Sequence, residues 1–249
     1  MGASAGAGAG LSARDLLAGW SPGGRGGAHA RIGALLARAA PDAAARAALG
    51  GESLGARNQR LVRLHRALFA RPLEARLDCA CGQEVEATLP EAAILAAPTP
   101  GPGAEVAIDI AGRALRFRIP RMADLALGAD PARLAAACCL APPAPPLSPD
   151  AAAALGAAFE AADPAGDIRL SGACPECGAP LSAAADPAAL LAAELDRLHA
   201  ALLGQVDCIA RAYGWSEAQI LALPAARRRS YIALIQAREA VGRGSRAWA

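Results

Sequence analysis

The sequence has little of what most functions are built from. Aromatic residues make up only 3% of its 249 positions, and there are three histidines. His29, His65 and His199 lie in separate helical contexts, and serines are scarce. No GxSxG, no HExxH and no phosphate loop ending in Lys-Ser/Thr occurs. Carboxylate pairs such as Glu194/Asp196 fall on what read as solvated helix faces. With so few convergent polar groups, the chain is expected to be no enzyme and to take no small-molecule substrate. Charge, Gly or Pro breaks every apolar stretch before it could span a bilayer, so no membrane contact is expected. A formal charge of +2 gives no case for nucleic acid on charge alone. No basic segment precedes an apolar one at the start, so no secretory leader is expected. Seven cysteines, an odd number with Cys138 and Cys139 adjacent, suit a reducing cytosol better than a disulfide framework. The expected setting is the cytoplasm.

What is there is alanine, leucine and two short cysteine pairs. Alanine is the best helix former but buries little area, so the core must rest on the leucines. The pairs are Cys79-Ala80-Cys81-Gly82 and Cys174-Pro175-Glu176-Cys177-Gly178. Zinc prefers four tetrahedral ligands, and thiolate is among its best. A glycine after each pair permits positive φ, so backbone amides can turn toward the sulfurs. Strand-like residues flank the pairs: Leu73 to Leu77, Glu84 to Leu89, and Asp167 to Leu170. Strand, knuckle, strand is the layout of a zinc ribbon. The expected site is therefore a structural Zn2+ held by Cys79, Cys81, Cys174 and Cys177. The pairs lie far beyond the roughly 15–20 residues of a compact ribbon, so the ribbon carries a large insertion. A redox CxxC at Cys174/Cys177 is the competing chemistry. It usually starts a helix, whereas Gly-Ala-Pro follows here and argues for a turn. Cys138, Cys139 and Cys208 fall in helical apolar patterns and read as small core residues.

Taken in order, residues 1–10 read as disordered Gly/Ala/Ser repeats. A short helix is expected from Leu11 to Trp20 with Ser12 as cap. Two helices split at Pro41-Asp42 follow, then a longer one from Ser53 to Ala70. His65 in that helix reads as solvated or partly packed. The insertion, about 90–165, holds two period-two runs, Glu105 to Ile110 and Arg113 to Ile119, joined at Ala111-Gly112 as a hairpin. Arg116 and Arg118 read as solvated on its outer face. Asp130-Pro131, Ser148-Pro149 and Asp186-Pro187 each announce a helix start, and APPAPP at 141–146 reads as a stiff linker. The last of these helices carries a heptad-like stripe: Leu191, Leu195, Leu198, Leu202, Gln205/Val206, Ile209 and Tyr213. Ser216 and Gln219 form a capping box, and Pro224 opens a final helix with Arg227, Arg228 and Arg229 on one side. The expected fold is α+β and mostly α-helical. It has a zinc-ribbon-like small β-sheet with a hairpin insertion, packed with N- and C-terminal helices. The expected regions are 11–72 helical, 73–185 ribbon with insertion, 186–240 helical and 241–249 a loose tail.

Several segments together resemble the baseplate protein family of contractile-tailed phages and phage-like contractile injection systems. They are RLHRALF-x-R-P-L at 63–73, the stretch from Ala162 to Leu170 followed by CPECG, Asp186 to Leu195, and AYGWSEAQILALP from Ala210 to Pro224 followed by RRRSY. The resemblance covers about 60–85 and 160–235. The family's usual half-site is CPxCG, where this chain has CACG. The resemblance implies a non-enzymatic structural or assembly component, chaperone-like, whose partners are baseplate or tail proteins of a contractile particle. Tyr213, Trp215, Arg227, Arg228 and Arg229 are the expected partner-binding residues, because Tyr, Trp and Arg dominate protein contacts. The alternative is a zinc-ribbon nucleic-acid or transcription-associated protein. It needs a basic face at the knuckles, whereas Asp78, Glu84, Glu86, Asp167 and Glu176 outnumber Arg76 and Arg169 there.

Overall fold

Local capping chemistry decides where most helices begin. A computed structural model describes residues 13–246 apart from 25, 111, 129 and 142–145. The expectations for residues 1–10, for Ser12 as cap, for Ala111 in the hairpin turn and for the middle of APPAPP lie outside the described residues. The first helices are α1 (Ala13–Gly19), α2 (Gly27–Ala39) and α3 (Ala43–Ala48), the last capped by Asp42 Oδ1 accepting from Ala45 N at 2.8 Å. A longer α4 (Leu54–Phe69) follows. Then come strands β1 (Glu74–Asp78) and β2 (Glu84–Thr88), helix α5 (Glu91–Ala96), and strands β3 (Glu105–Ile110) and β4 (Arg113–Arg118). Met122–Leu127 is a 3-10 turn. In α6 (Pro131–Cys138) Asp130 caps the amides of Ala132 and Arg133, and in α7 (Pro149–Ala162) Ser148 Oγ caps Ala151. Strands β5 (Ile168–Ala173) and β6 (Pro180–Ala185) precede α8 (Pro187–Tyr213), whose cap is Asp186 Oδ1 on Ala188 N at 3.0 Å. The reciprocal Ser216/Gln219 box opens α9 (Glu217–Ala222). Last is α10 (Ala225–Arg246), which continues past Ala240 where a loose tail is expected from the polar composition.

The chain is α+β, mostly helical, with small antiparallel two-stranded sheets. It divides into two compact units whose bounds differ from those read in the sequence. One takes in the described residues up to Ala39, Ala67–Ala70, and those from Ala192 on; the other takes in Ala40–Arg66 and Arg71–Leu191.

In the second unit the strands form three separate hairpins: β3–β4 is the inserted hairpin the sequence suggests, while β1–β2 and β5–β6 stand apart where one small ribbon sheet is expected. Alternation along β1 turns Ala75 and Leu77 inward. With Leu73, Leu89, Ile94, Ile168, Leu170 and Leu181 they make a core that also takes in Cys79 and Cys174. The inserted hairpin β3–β4 has its own core, where Ile108, Leu115 and Phe117 pack with Cys138, Cys139 and Leu155. Cys138 and Cys139 are thus the small core residues the sequence suggests. Arg118 departs from the solvated reading. Its guanidinium grips Asp124 through two hydrogen bonds of 2.6 and 2.8 Å, and it donates to Ala137 O at 3.0 Å. These bonds, against a smaller opposing effect of burial, hold the Asp124 carboxyl below its ordinary value. A depressed folded-state pKa contributes stability above the unfolded value near 4, and that contribution is lost as pH falls through the folded value. Asp124→Asn is therefore expected to cost about 1–2 kcal/mol at pH 7. The gap between variant and wild type should narrow below about pH 4, as urea unfolding at both pH values would read.

Helix α4 departs more sharply from its apolar-stripe pattern. Besides Leu61 and Val62 it buries Arg57, Asn58, Gln59 and His65. The amides earn that position by serving loop carbonyls: Asn58 Nδ2 donates to Ala165 O at 2.8 Å, and Gln59 Nε2 donates to Ile94 O at 3.0 Å and Ala97 O at 2.7 Å. His65 is fully buried, not solvated. The N-terminus of α4 is closed from across the chain: Asp163 Oδ2 accepts from Gly55 N at 2.8 Å. Burial pushes the Asp163 carboxyl up, although the Gly55 amide and Ser53 oppose it.

In the first unit, Trp20 Nε1 (2.8 Å) and Arg31 Nη1 (2.7 Å) both donate to Asp196 Oδ1 on α8. The guanidinium of Arg31 lies over the Trp20 ring at 4.7 Å. Along the α8 stripe Leu195, Leu202 and Ile209 are buried, while Leu198 and Val206 are half-buried. Gly214, at φ 70°, ends the helix in the left-handed region that a closing glycine supplies. Ile209 of α8, Ile220 of α9 and Ile235 of α10 form a small core.

Candidate metal centre

Two knuckles of one design bring the cysteines together. In the first, β1 runs into Cys79 and β2 leaves after Gln83. Cys79 N donates to Gln83 O at 2.9 Å and Gly82 N to Cys79 O at 2.9 Å. In the second, between β5 and β6, Cys174 N donates to Ala179 O at 2.8 Å and Gly178 N to Cys174 O at 2.9 Å. Gly82 (φ 89°) and Gly178 (φ 71°) both take the left-handed turn that the sequence assigns to them. Strand β1 approaches β6, so the two knuckles meet although 93 residues separate Cys81 from Cys174.

The result is one cluster. Cys79 Sγ lies 3.6 Å from Cys177 Sγ, and Cys81 Sγ lies 3.7 Å from Cys174 Sγ. All four sulfurs fall within 4.8 Å of one another. Four sulfurs at about 2.3 Å from a central ion stand roughly 3.8 Å apart along the edges of a tetrahedron. The two contacts of 3.6 and 3.7 Å match that figure. It is far from the roughly 2.05 Å of a disulfide, and all four are free thiols. Cys79 and Cys174 are buried, while Cys81 and Cys177 are exposed. The set is compatible with a metal ion.

The electrostatics point the same way. The Cys177 amide, aided by that of Glu176 and opposed by burial, brings the Cys174 thiol down to about 7. At Cys79 the amide of Cys81 also pulls down. The surrounding thiols and burial outweigh it and push that group up to about 12. Four thiols this close cannot all ionise in mutual company. A divalent cation removes the conflict by accepting all four as thiolates.

The arginines around the knuckles are paired with carboxylates. Arg76 meets Glu84 at 2.8 Å and Glu86 at 3.7 Å, and Arg169 meets Asp167 at 3.2 Å.

The residues expected to meet a partner divide. Tyr213 and Trp215 are half-buried and stack at 5.1 Å, and Tyr231 closes a three-ring group at 5.4 and 5.0 Å from them. The sequence reading treats Tyr231 only as a packing residue, and nothing in its spacing marks it as the third ring. Arg227 and Arg229 are exposed, but Arg228 does not share their face. It is buried, donating to Gln205 Oε1 at 3.0 Å and Leu223 O at 2.6 Å. Helical geometry explains this: three consecutive residues turn through about 200°, so they cannot all face one way. Arg228→Ala is expected to cost about 1–3 kcal/mol, because it strands buried acceptors. Arg227→Ala and Arg229→Ala should stay within about 0.5 kcal/mol, as thermal unfolding of the three variants would show.

Among the described residues, no helix is long and apolar enough to cross a membrane. No family model matches the chain, and no curated protein or solved structure matches it.

Proposed function

We propose that the chain is a non-enzymatic scaffold component, stapled by a structural zinc ion, that serves in building the baseplate of a contractile phage-tail-like particle. The observation that carries the zinc half is the cluster of Cys79, Cys81, Cys174 and Cys177 sulfurs, all within 4.8 Å of one another, held by two glycine-ended turns. Four sulfur ligands fill the coordination shell and leave no position for a water, so zinc there is structural rather than catalytic. The baseplate half rests on the resemblance of residues 60–85 and 160–235, including the RRRSY segment that supplies Tyr231 to the ring group. The ring group and the exposed Arg227 and Arg229 are the surface this reading offers to a tail subunit. The transcription-associated alternative requires a basic face at the knuckles. The arginines there are paired with carboxylates, which favours the scaffold reading.

Native mass spectrometry tests both halves. The chain is purified under reducing conditions from cells that carry its neighbouring genes and the subunits of a contractile tail. One zinc per chain, lost in Cys177→Ser, together with a defined complex with a tail subunit, is the expected result. Metal-free wild-type protein overturns the zinc half. A zinc-loaded chain that ignores every tail subunit overturns the baseplate half.

A further inference from the structure

The same four sulfurs have a second chemistry written into their pairing. Two sulfur contacts, 3.6 Å for Cys79–Cys177 and 3.7 Å for Cys81–Cys174, run between the hairpins. Each pair also joins one buried cysteine to one exposed cysteine: Cys79 with Cys177, and Cys174 with Cys81. An oxidant arriving from solvent therefore meets Cys81 and Cys177 first, each with a buried sulfur of the opposite hairpin beside it. We propose that the centre is an oxidant-reactive modification site at which a hydroperoxide converts the four thiolates into two crosswise disulfides, Cys79–Cys177 and Cys81–Cys174. This rests on the structural-metal reading for its starting state, and the pairing is argued from the two cross-hairpin contacts.

The step balances. An exposed thiolate attacks one peroxide oxygen, breaking the O–O bond; the sulfur becomes a sulfenic acid, and the departing hydroxide takes a proton to become water. The buried thiolate across the hairpins then attacks that sulfur, forming the S–S bond and expelling the oxygen as a second water after protonation. Two peroxides and four protons are consumed for the two disulfides, four waters form, and the bound dication is released. Each sulfur pair must close from about 3.7 Å to about 2.05 Å. The knuckle turns allow this because Gly82 and Gly178 follow them directly. The crosswise bonds close loops spanning 98 and 93 positions. A bond within one knuckle spans only two or three and constrains the unfolded chain far less. Oxidation thus exchanges a metal staple for a covalent one at the same junction.

The experiment uses the full wild-type chain. Metal content of the reduced protein is measured first. The protein is then treated with hydrogen peroxide in small molar steps, while released metal is read with a chromogenic chelator and the remaining free thiols are counted. Unreduced digests with trypsin and with a Glu-specific protease are mapped by mass spectrometry. Trypsin leaves Cys79 and Cys81 together on the peptide ending at Arg113, and Cys174 and Cys177 on the one ending at Arg197. Cleavage after Glu176 separates the latter two, and backbone fragmentation between Cys79 and Cys81, which neither protease parts, assigns their partners, with Cys79–Cys174 and Cys81–Cys177 bonds overturning the proposal. The expected result is loss of four thiols in step with one metal ion, and the two tryptic peptides joined, Cys177 to Cys79 and Cys174 to Cys81. A Cys174–Cys177 bond within one knuckle, or sulfinic acids without disulfide, overturns the proposal. So does a centre that resists peroxide at a tenfold molar excess. Metal-free reduced protein overturns the zinc reading instead, and the crosswise pairing is then read on the same digests.

Discussion

Replacing Cys174 with serine is expected to abolish metal binding and to unfold the unit that contains the three hairpins. The reasoning is one of scale. Structural zinc sites contribute about 10–16 kcal/mol in small peptide systems, whereas whole domains are stable by about 5–15 kcal/mol. The hairpins have short strands and a core padded with alanine, and Cys79 and Cys174 are themselves part of that core. Without the ion, the clustered sulfurs stay largely protonated and nothing ties the two knuckles together. Metal analysis and thermal unfolding of Cys174→Ser would check this. A chelator applied to the wild-type chain at neutral pH separates loss of the ion from loss of the side chain. Wild-type melting after complete metal removal would sink the idea that the ion holds this unit together.

Gly55→Ala carries the second large effect. A methyl group at Gly55 would stand 2.0 Å from Asp163 Oδ1 and 2.8 Å from its Cγ. The φ of Gly55 is ordinary for a helix, so alanine would be mildly favoured there on propensity alone. Sterics must win, because no contact of 2.0 Å survives. Asp163 then has to leave its hydrogen bond to Gly55 N, which opens a helix end and strands a buried carboxylate. The expected cost is about 3 kcal/mol, combining the clash with the lost cap. Gly204→Ala serves as control, since nothing lies within 4 Å of the added carbon. Chemical denaturation of both variants should show Gly55→Ala far less stable, with Gly204→Ala at or above wild type. Equal stabilities would mean that the Asp163 cap yields without cost.

How much of this was legible from residues alone follows the range of the forces involved. Helix starts at Asp130-Pro131, Ser148-Pro149 and Ser216 could be read because a cap acts within three residues. The β3–β4 hairpin could be read because Val106, Ile108, Leu115 and Phe117 alternate with charged neighbours. Strand β6 could not: its Pro-Leu-Ser-Ala-Ala-Ala lacks the β-branched and aromatic residues that mark a strand, and only pairing with β5 makes it one. The four cysteines were legible because so few chemistries use two short pairs, each followed by glycine. That β1–β2 and β5–β6 stand as separate hairpins was not legible, since separate hairpins and one small sheet share one local pattern. The Asp163–Gly55 contact joins positions 108 apart, and no spacing rule reaches that far. Buried Arg57, Asn58, Gln59 and His65 were hidden for the opposite reason, because polarity on a helix ordinarily signals solvent.

The distance between the two knuckles also sets a schedule. A ribosome adding about 5–20 residues per second makes Cys79 and Cys81 while the opposing cysteines are still 93 positions from synthesis. For roughly 5–20 s the nascent chain holds half a site, two sulfurs that grip a metal ion weakly. Everything in the insertion, including the hairpin around Phe117, is made within that interval. With zinc as the ion, tight capture becomes a late event in the birth of the protein, and a chain broken off before Cys177 never acquires its staple.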